Sequence, residues 1–264
     1  MSDLAAATET ASRYDFDFGL WQQQQLEKTA GRGVEAAEPD ILRAVQARLD
    51  GLLAGVEGPV RILDAGCGKQ LQIPIAANRH VVGIDISPEQ VARNTEVDEG
   101  IVGNVQTHDF EPASFDAVVC WNVLEHLEDP RAALLNFERS LKPGGVLVLA
   151  GPHPHSFKGT VTKVTPFWVH KLAWRRLLPG QPALERFPTH MSGLAAPDQL
   201  TQALGELGLR VELLTMYEGW EQRAFRRKAG LAGGAFRAGI RVVEAASLGS
   251  VLADVTDFVL VASK

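Results

Sequence analysis

Cysteine is almost missing from this chain of 264 residues: only Cys67, inside a glycine-bounded loop, and Cys120, at the end of an apolar run, are present. Two residues so placed make no disulfide framework and match no zinc-ligand spacing, so they fit a reducing compartment. Basic charge is not in excess either. Lys and Arg number 26 against 32 Asp and Glu, a formal net charge of -6 that leaves no broad footprint for nucleic acid beyond a local patch. No apolar run approaches the ~18 residues of a membrane-spanning helix, and the first thirty residues lack a basic stretch followed by an apolar one. The expectation is a cytoplasmic protein. Repeats and low-complexity tracts are absent, and the four glutamines at 22–25 are too few to carry meaning.

What the chain does have is apolar patterning, with 45% hydrophobic and 22% charged residues, enough to bury the core of one large α/β domain with insertions. Short runs rich in Val, Ile and Leu occur at VRILDAG (60–66), HVVGIDIS (80–87), GIVGNV (100–105), FDAVVCWN (115–122) and GGVLVLAG (144–151). Bounded by Gly, Asp or Pro, they read as buried parallel strands. Helical segments alternate with them. Residues 38–55 carry an apolar stripe at Ile41, Leu42, Val45, Leu49, Leu52 and Leu53, and Ser87-Pro88-Glu89 starts another helix. A third spans 129–141 and is expected to end at Lys142-Pro143-Gly144-Gly145; a fourth, also expected to be capped, covers 196–208. LRVELLTMYE and DFVLVASK supply two more strands. Residues 152–195 and 218–255 interrupt the alternation and read as insertions, while 1–37 precede the core as a separate N-terminal segment.

The stretch LDAGCGKQ (63–70) directs attention to function. Gly66-Cys67-Gly68 follows the first strand, where a dinucleotide site would continue to a third glycine that lets the helix pack closely and seat a pyrophosphate. Here Lys69, Gln70 and Leu71 follow instead. About 20 residues on, Asp85 ends the second strand, where an acid accepts hydrogen bonds from ribose hydroxyls; it can alternatively cap the helix that begins after Ser87.

ILDAGCG, VVGIDIS, SFDAVVCWNVLEHLEDP and LKPGGVLVLAGP, in that order and spacing, resemble the successive motifs of class I S-adenosylmethionine-dependent methyltransferases, in particular the group of the ubiquinone and menaquinone methyltransferases. The resemblance covers residues 38–151 well and 196–217 and 256–264 more loosely. It implies a Rossmann-like α/β fold whose seven-stranded sheet has the order 3-2-1-4-5-7-6, with strand 7 antiparallel. It also implies S-adenosylmethionine as cofactor and S-adenosylhomocysteine as product. Gln70 departs from the family's usual glycine. By the resemblance, Asp64 and the backbone of Gly66 and Gly68 face the methionine moiety, although Asp64 can instead cap the loop. Asp85 then takes the ribose and Ile86 the adenine face. Asn104, with a backbone donor from Val105, reads the adenine edge, and Asp109 is its rival. The backbone of Trp121 and Asn122 borders the sulfur, and Glu125 and His126 either act in catalysis or brace their loop.

Methyl transfer from a sulfonium is an in-line displacement, so a base is needed only when the nucleophile arrives protonated. His153, His155 and His190 are the candidate bases, each equally readable as a loop histidine, and a mechanism without a base stays open. Residues 160–180 combine Phe167, Trp168, Leu172 and Trp174 with Lys171, Arg175 and Arg176, which suits a lid over a bulky acceptor, a peripheral membrane contact or a solvated helix face. Tyr14, Phe16, Phe18 and Trp21 suit a cap over the cofactor or packing on the sheet edge. Residues 220–252 complete the lid or form a dimer surface, so monomer and homodimer are both open. The leading expectation is a methyltransferase acting on a small-molecule acceptor, most readily an oxygen of a natural product, glycan or lipid-like metabolite of secondary metabolism, with no metal and no nucleic acid. An NAD-dependent oxidoreductase and a non-catalytic cofactor-binding module are the alternatives.

Overall fold

The computed structural model describes residues 37–68, 71, 78–156, 159–160, 190, 193–219, 230, 234–248, 251–252 and 255–264. Apart from Ala37 these fall in the unit Glu38–Lys264, one of two into which the chain divides. Strands β1 (Val60–Ala65), β2 (Arg79–Asp85), β3 (Glu99–Val102), β4 (Phe115–Trp121), β5 (Leu141–Pro152), β6 (Arg210–Tyr217) and β7 (Asp257–Ser263) form one sheet. Its order is β3-β2-β1-β4-β5-β7-β6, with β7 antiparallel to both neighbours. The topology expected from the sequence is therefore observed.

Helix α1 (Ala37–Leu53) lays Val45, Leu49 and Leu53, all buried, against Val60, Ile62, Val81, Ala117, Val119 and Val148 on one face of the sheet. Each such side chain contributes about 1.5–3 kcal/mol by leaving water, so this stripe anchors the helix. Ile41 and Leu52 pack at its margin; the side chain of Leu42 lies outside the description. Helix α2 (Pro88–Arg93) is only six residues long, capped by Ser87 through Gln90 N–H, and α3 (Pro130–Ser140) is capped by Asp129 through Ala132 N–H. Helix α3 packs against β5 with Ala133, Leu134 and Phe137 buried. Helix α4 (Pro197–Glu206) packs against β6 and β7; α5 (Gly234–Ala246) lies within the second insertion.

Three sequence expectations need correction. Helix α3 ends at Ser140, and Leu141 already pairs with Phe115, so Lys142–Gly145 belongs to β5 as a bulge instead of a helix terminus. The cause is Asp116: its buried carboxylate accepts from Arg61 N–H at 2.8 Å and from Lys142 Nζ at 2.8 and 2.9 Å, pinning the segment to the sheet. Strand β3 stops at Val102 because Asn104 forms a tight turn, its Oδ1 accepting Gln106 N–H at 2.9 Å. Helix α4 has Pro197 in its first turn, but Ala196 offers no side-chain cap.

All the parallel strands deliver their carboxyl ends to one edge of the sheet. Pro152 at the end of β5 and Tyr217 at the end of β6 both pair with Asp257, the first residue of β7. Both insertions consequently depart from that edge, and the second returns to it. Their roots are stitched together by His153 N–H to Thr256 O, Leu252 N–H to His155 O and Thr256 N–H to Tyr217 O, at 2.8, 2.8 and 2.9 Å.

Candidate active site

Strand order reverses between β1 and β4, and in open α/β sheets the crevice at the carboxyl ends of such a pair receives ligands. Gly66 and Gly68 turn the chain there with φ of 80° and 47°, conformations that glycine adopts at least cost. A Cβ on Gly66 would lie 2.2 Å from Val123 Cγ2, so the loop after β1 packs directly on the loop after β4. The N–H groups of Gly66 and Cys67 donate to Ile84 O at 2.7 and 3.0 Å, and Gly68 N–H donates to Asp85 Oδ2 at 3.0 Å. A phosphate cradle depends on free amide donors. These three are already engaged, which argues against the pyrophosphate of a dinucleotide.

The side chains around the loop are acidic. Asp64 is 3% exposed, and its Oδ2 is a buried acceptor without a hydrogen-bond partner among the described residues. Burial first, then the charges of Asp85 and Glu96, push its carboxyl up to about 7. Asp85 is also buried; its Oδ1 accepts Ser87 N–H at 2.8 Å, so it supports the start of α2 while gripping Gly68. A carboxylate offers roughly four lone-pair positions, so both oxygens keep acceptor capacity for a ligand. Burial pushes the Cys67 thiol up to about 12, with Asp64 and Asp85 adding to it, and Cys120 is raised by burial and then by Glu125 and Asp64. Neither thiol is a nucleophile.

Along the same edge Ile86 is 56% exposed, an apolar side chain left open beside Asp85. Gly103 N–H bonds Asp85 O at 2.9 Å, which brings Asn104 alongside, whereas the rival Asp109 pairs with Arg139 of α3 at 2.6 Å. Asn136 Nδ2 donates to Val105 O at 3.0 Å and to His108 O at 2.6 Å, fixing that turn from α3. Trp121 packs partly on the core, and Asn122 follows with φ of 56°, its N–H tied to Ala150 O at 2.8 Å. Glu125 is buried within the 3-10 turn Leu124–His126, and its carbonyl accepts His190 N–H at 2.7 Å. Bracing accounts for that contact. His126 is half-buried, with Nε2 3.9 Å from Glu125 Oε1.

The histidines differ. His153 is 2% exposed, and His155 N–H donates to its Nδ1 at 3.1 Å. An Nδ1 that accepts leaves the neutral ring's proton on Nε2, so as placed His153 presents a donor, which is unfavourable for the base role expected of it. His155 and His190 are exposed. The tryptophans expected in a lid, Trp168, Trp174 and Trp220, the N-terminal aromatics, Lys69 and Gln70 lie outside the described residues.

The sequence pattern of the methyltransferase domain family matches residues 63–149, spanning β1 through most of β5. The ubiquinone biosynthesis O-methyltransferase of Xanthomonas euvesicatoria is 31% identical over 203 residues, covering 72% of this chain and 78% of that protein. The chain belongs to the class I S-adenosylmethionine-dependent methyltransferases. A second relative, O-methyltransferase rstn1 of Aspergillus nomiae, is 31% identical over 57% of this chain and 74% of its own. A solved S-adenosylmethionine-dependent methyltransferase from Archaeoglobus fulgidus has a TM-score of 0.48 at 17% identity, covering 92% of this chain and all of that one.

As a methyltransferase the chain uses S-adenosylmethionine, a ligand with a sulfonium and an ammonium. The site fits it: a buried unpartnered carboxylate oxygen, a second acid with acceptor capacity and amide donors already spent suit a cation better than a phosphate. Two features of this methyltransferase were not foreseen from its sequence. Val123 closes over Gly66, and Asn94 and Glu96 hold the glycine loop through hydrogen bonds to Cys67 O and Leu71 N–H. An asparagine just after a short helix is a weak end-of-helix signal, the only one the sequence offers.

Proposed function

We propose that this methyltransferase methylates an oxygen atom of a small-molecule acceptor. The observation behind this reading is that the acid-lined glycine loop and the loops bearing His155 and His190 share one sheet edge, where the roots of both insertions join. Both relatives named above are O-methyltransferases, which supports oxygen as the target. Bound S-adenosylmethionine supplies an electrophilic methyl on its sulfonium. In our assignment Asp64 and the Gly66 carbonyl hold the methionine ammonium, with Gly68 completing the loop. Asp85 accepts the ribose hydroxyls, Ile86 supports the adenine face, and Asn104 with Val105 reads its edge. The backbone of Trp121 and Asn122 borders the reacting centre. His155 or His190 takes the proton of an acceptor hydroxyl, and His153 orients the loop. Residues 152–195 and 218–255 serve as a lid that excludes water.

The test is turnover with S-adenosylmethionine carrying a 13C-labelled methyl, against phenols, enols and hydroxylated glycosides with and without an apolar chain. An oxygen-bound 13C methyl in the product is expected. A carbon- or nitrogen-bound methyl would contradict the assignment of the acceptor atom.

A further inference from the structure

The third glycine that would steady such a loop is missing, yet residues on both sides of positions 69 and 70 are gripped by a single tripeptide, Asn94-Thr95-Glu96. Asn94 ends α2 after six residues: its N–H bonds Gln90 O and Val91 O, and its φ of -79° and ψ of 107° lead the chain out of the helix. This early exit brings the side chain to the loop, where Nδ2 donates to Cys67 O at 3.1 Å and to Gly68 O at 3.3 Å. Its Oδ1 accepts Glu96 N–H at 3.0 Å. A backbone N–H only donates, so that bond identifies which end of the amide is oxygen. Glu96 Oε2 in turn accepts Leu71 N–H at 2.6 Å. One segment thus holds two loop carbonyls and the amide beyond them.

Gly68 makes this more than local packing. The peptide that joins Cys67 to Gly68 has its carbonyl held by Asn94 while its N–H holds Asp85 Oδ2, so it transmits the position of Asn94 to the carboxylate assigned to the ribose. Only an amide meets the requirement at 94: a side chain that donates twice and accepts once in a place 7% exposed. Aspartate there donates only while protonated. Leucine or alanine would leave two carbonyls and one N–H without partners.

We propose that Asn94 is the positioning residue for S-adenosylmethionine binding, with Glu96 as the second jaw of a clamp that replaces the missing glycine. The proposal rests on the glycine loop being the methionine site. Asn94→Ala and Asn94→Asp, each checked for folding by circular dichroism, are titrated calorimetrically with S-adenosylhomocysteine at pH 6 and pH 8. Asn94 touches Cys67, Gly68 and Glu96, and the other charged groups coupled to that loop are Asp64 on β1 and Asp85 on β2. Asn94→Ala should weaken binding at least about 10-fold. An aspartate among three acids is pushed toward its protonated form, which recovers one of the two donated bonds, so the Asn94→Asp deficit should be at least about 3-fold smaller at pH 6 than at pH 8. A well-folded Asn94→Ala that binds within 2-fold of the unaltered protein would overturn the clamp, as would an Asn94→Asp deficit equal at both pH values. Should Asn94→Ala fail to fold, the pH-dependent ratio of Asn94→Asp decides alone. If Asp85→Asn leaves affinity unchanged as well, the reading of the loop itself falls, and the clamp with it.

Discussion

Replacing Asp64 by Asn preserves shape and removes a charge that the folded protein tolerates poorly in the absence of ligand. The carboxyl moves from an ordinary 3.8 to about 7, chiefly through burial. At about 1.36 kcal/mol per pH unit, ionising it inside the fold costs roughly 4 kcal/mol. The folded state holds this proton more tightly than the unfolded chain. The stabilising contribution is therefore complete below about pH 4 and lost as pH rises through about 7. Asp64→Asn should remove that slope, so that without ligand the variant at pH 8 is the more stable protein by up to about 4 kcal/mol. At ~2–4 °C per kcal/mol for a domain of this size, that corresponds to a gain of up to about 16 °C in melting temperature. Ligand affinity should move the other way. An ionised Asp64 facing an ammonium makes S-adenosylhomocysteine bind more tightly at pH 8 than at pH 6, with release of a proton that calorimetry detects as a dependence on buffer ionisation enthalpy. The variant should bind roughly 10- to 100-fold more weakly at pH 8, with a flat pH response in this range. A variant that melts below the unaltered protein at pH 8, or that binds S-adenosylhomocysteine normally, would refute the reasoning.

Asp85→Asn keeps one acceptor oxygen yet removes the charge; calorimetry should show affinity for S-adenosylhomocysteine reduced by about 1.5–3 kcal/mol, and unchanged affinity would contradict the ribose assignment. Gly66→Ala should weaken both folding and binding because its Cβ meets Val123; adding Val123→Ala should recover part of the binding, and no recovery would place the clash elsewhere. His155→Ala or His190→Ala should lower turnover about 10²- to 10⁴-fold while S-adenosylhomocysteine affinity stays within 2-fold, the signature of a general base; full activity in both variants would mean that alignment alone suffices. Deleting residues 160–180 behind a short linker should leave cofactor binding intact and abolish transfer, and retained turnover on the same acceptor would remove the lid.

Much of the sheet was legible because its strands are buried on both faces and read as continuous runs of Val, Ile and Leu, which located the ends of β1, β2 and β4 to within two residues. One boundary that failed was decided by a side chain distant in sequence, and another by a local turn. Asp116 draws Lys142 into β5, and the turn at Asn104 cuts β3 short. In the candidate site, the turn at Gly66 and Gly68 and the strand end at Asp85 were visible because such features leave local marks. Asn94 and Val123 act across 26 to 57 positions and carry no periodic signal. The tautomer of His153 depends on the path of its own backbone at His155, which residue types alone do not reveal.

The most direct test of the central claim is a crystal structure with S-adenosylhomocysteine bound. The account predicts the homocysteine ammonium within hydrogen-bond distance of Asp64 Oδ2, both ribose hydroxyls on Asp85, and the sulfur facing the edge shared by His155 and His190. A ligand lying elsewhere on the protein, or an ammonium paired with a group other than Asp64, would contradict it.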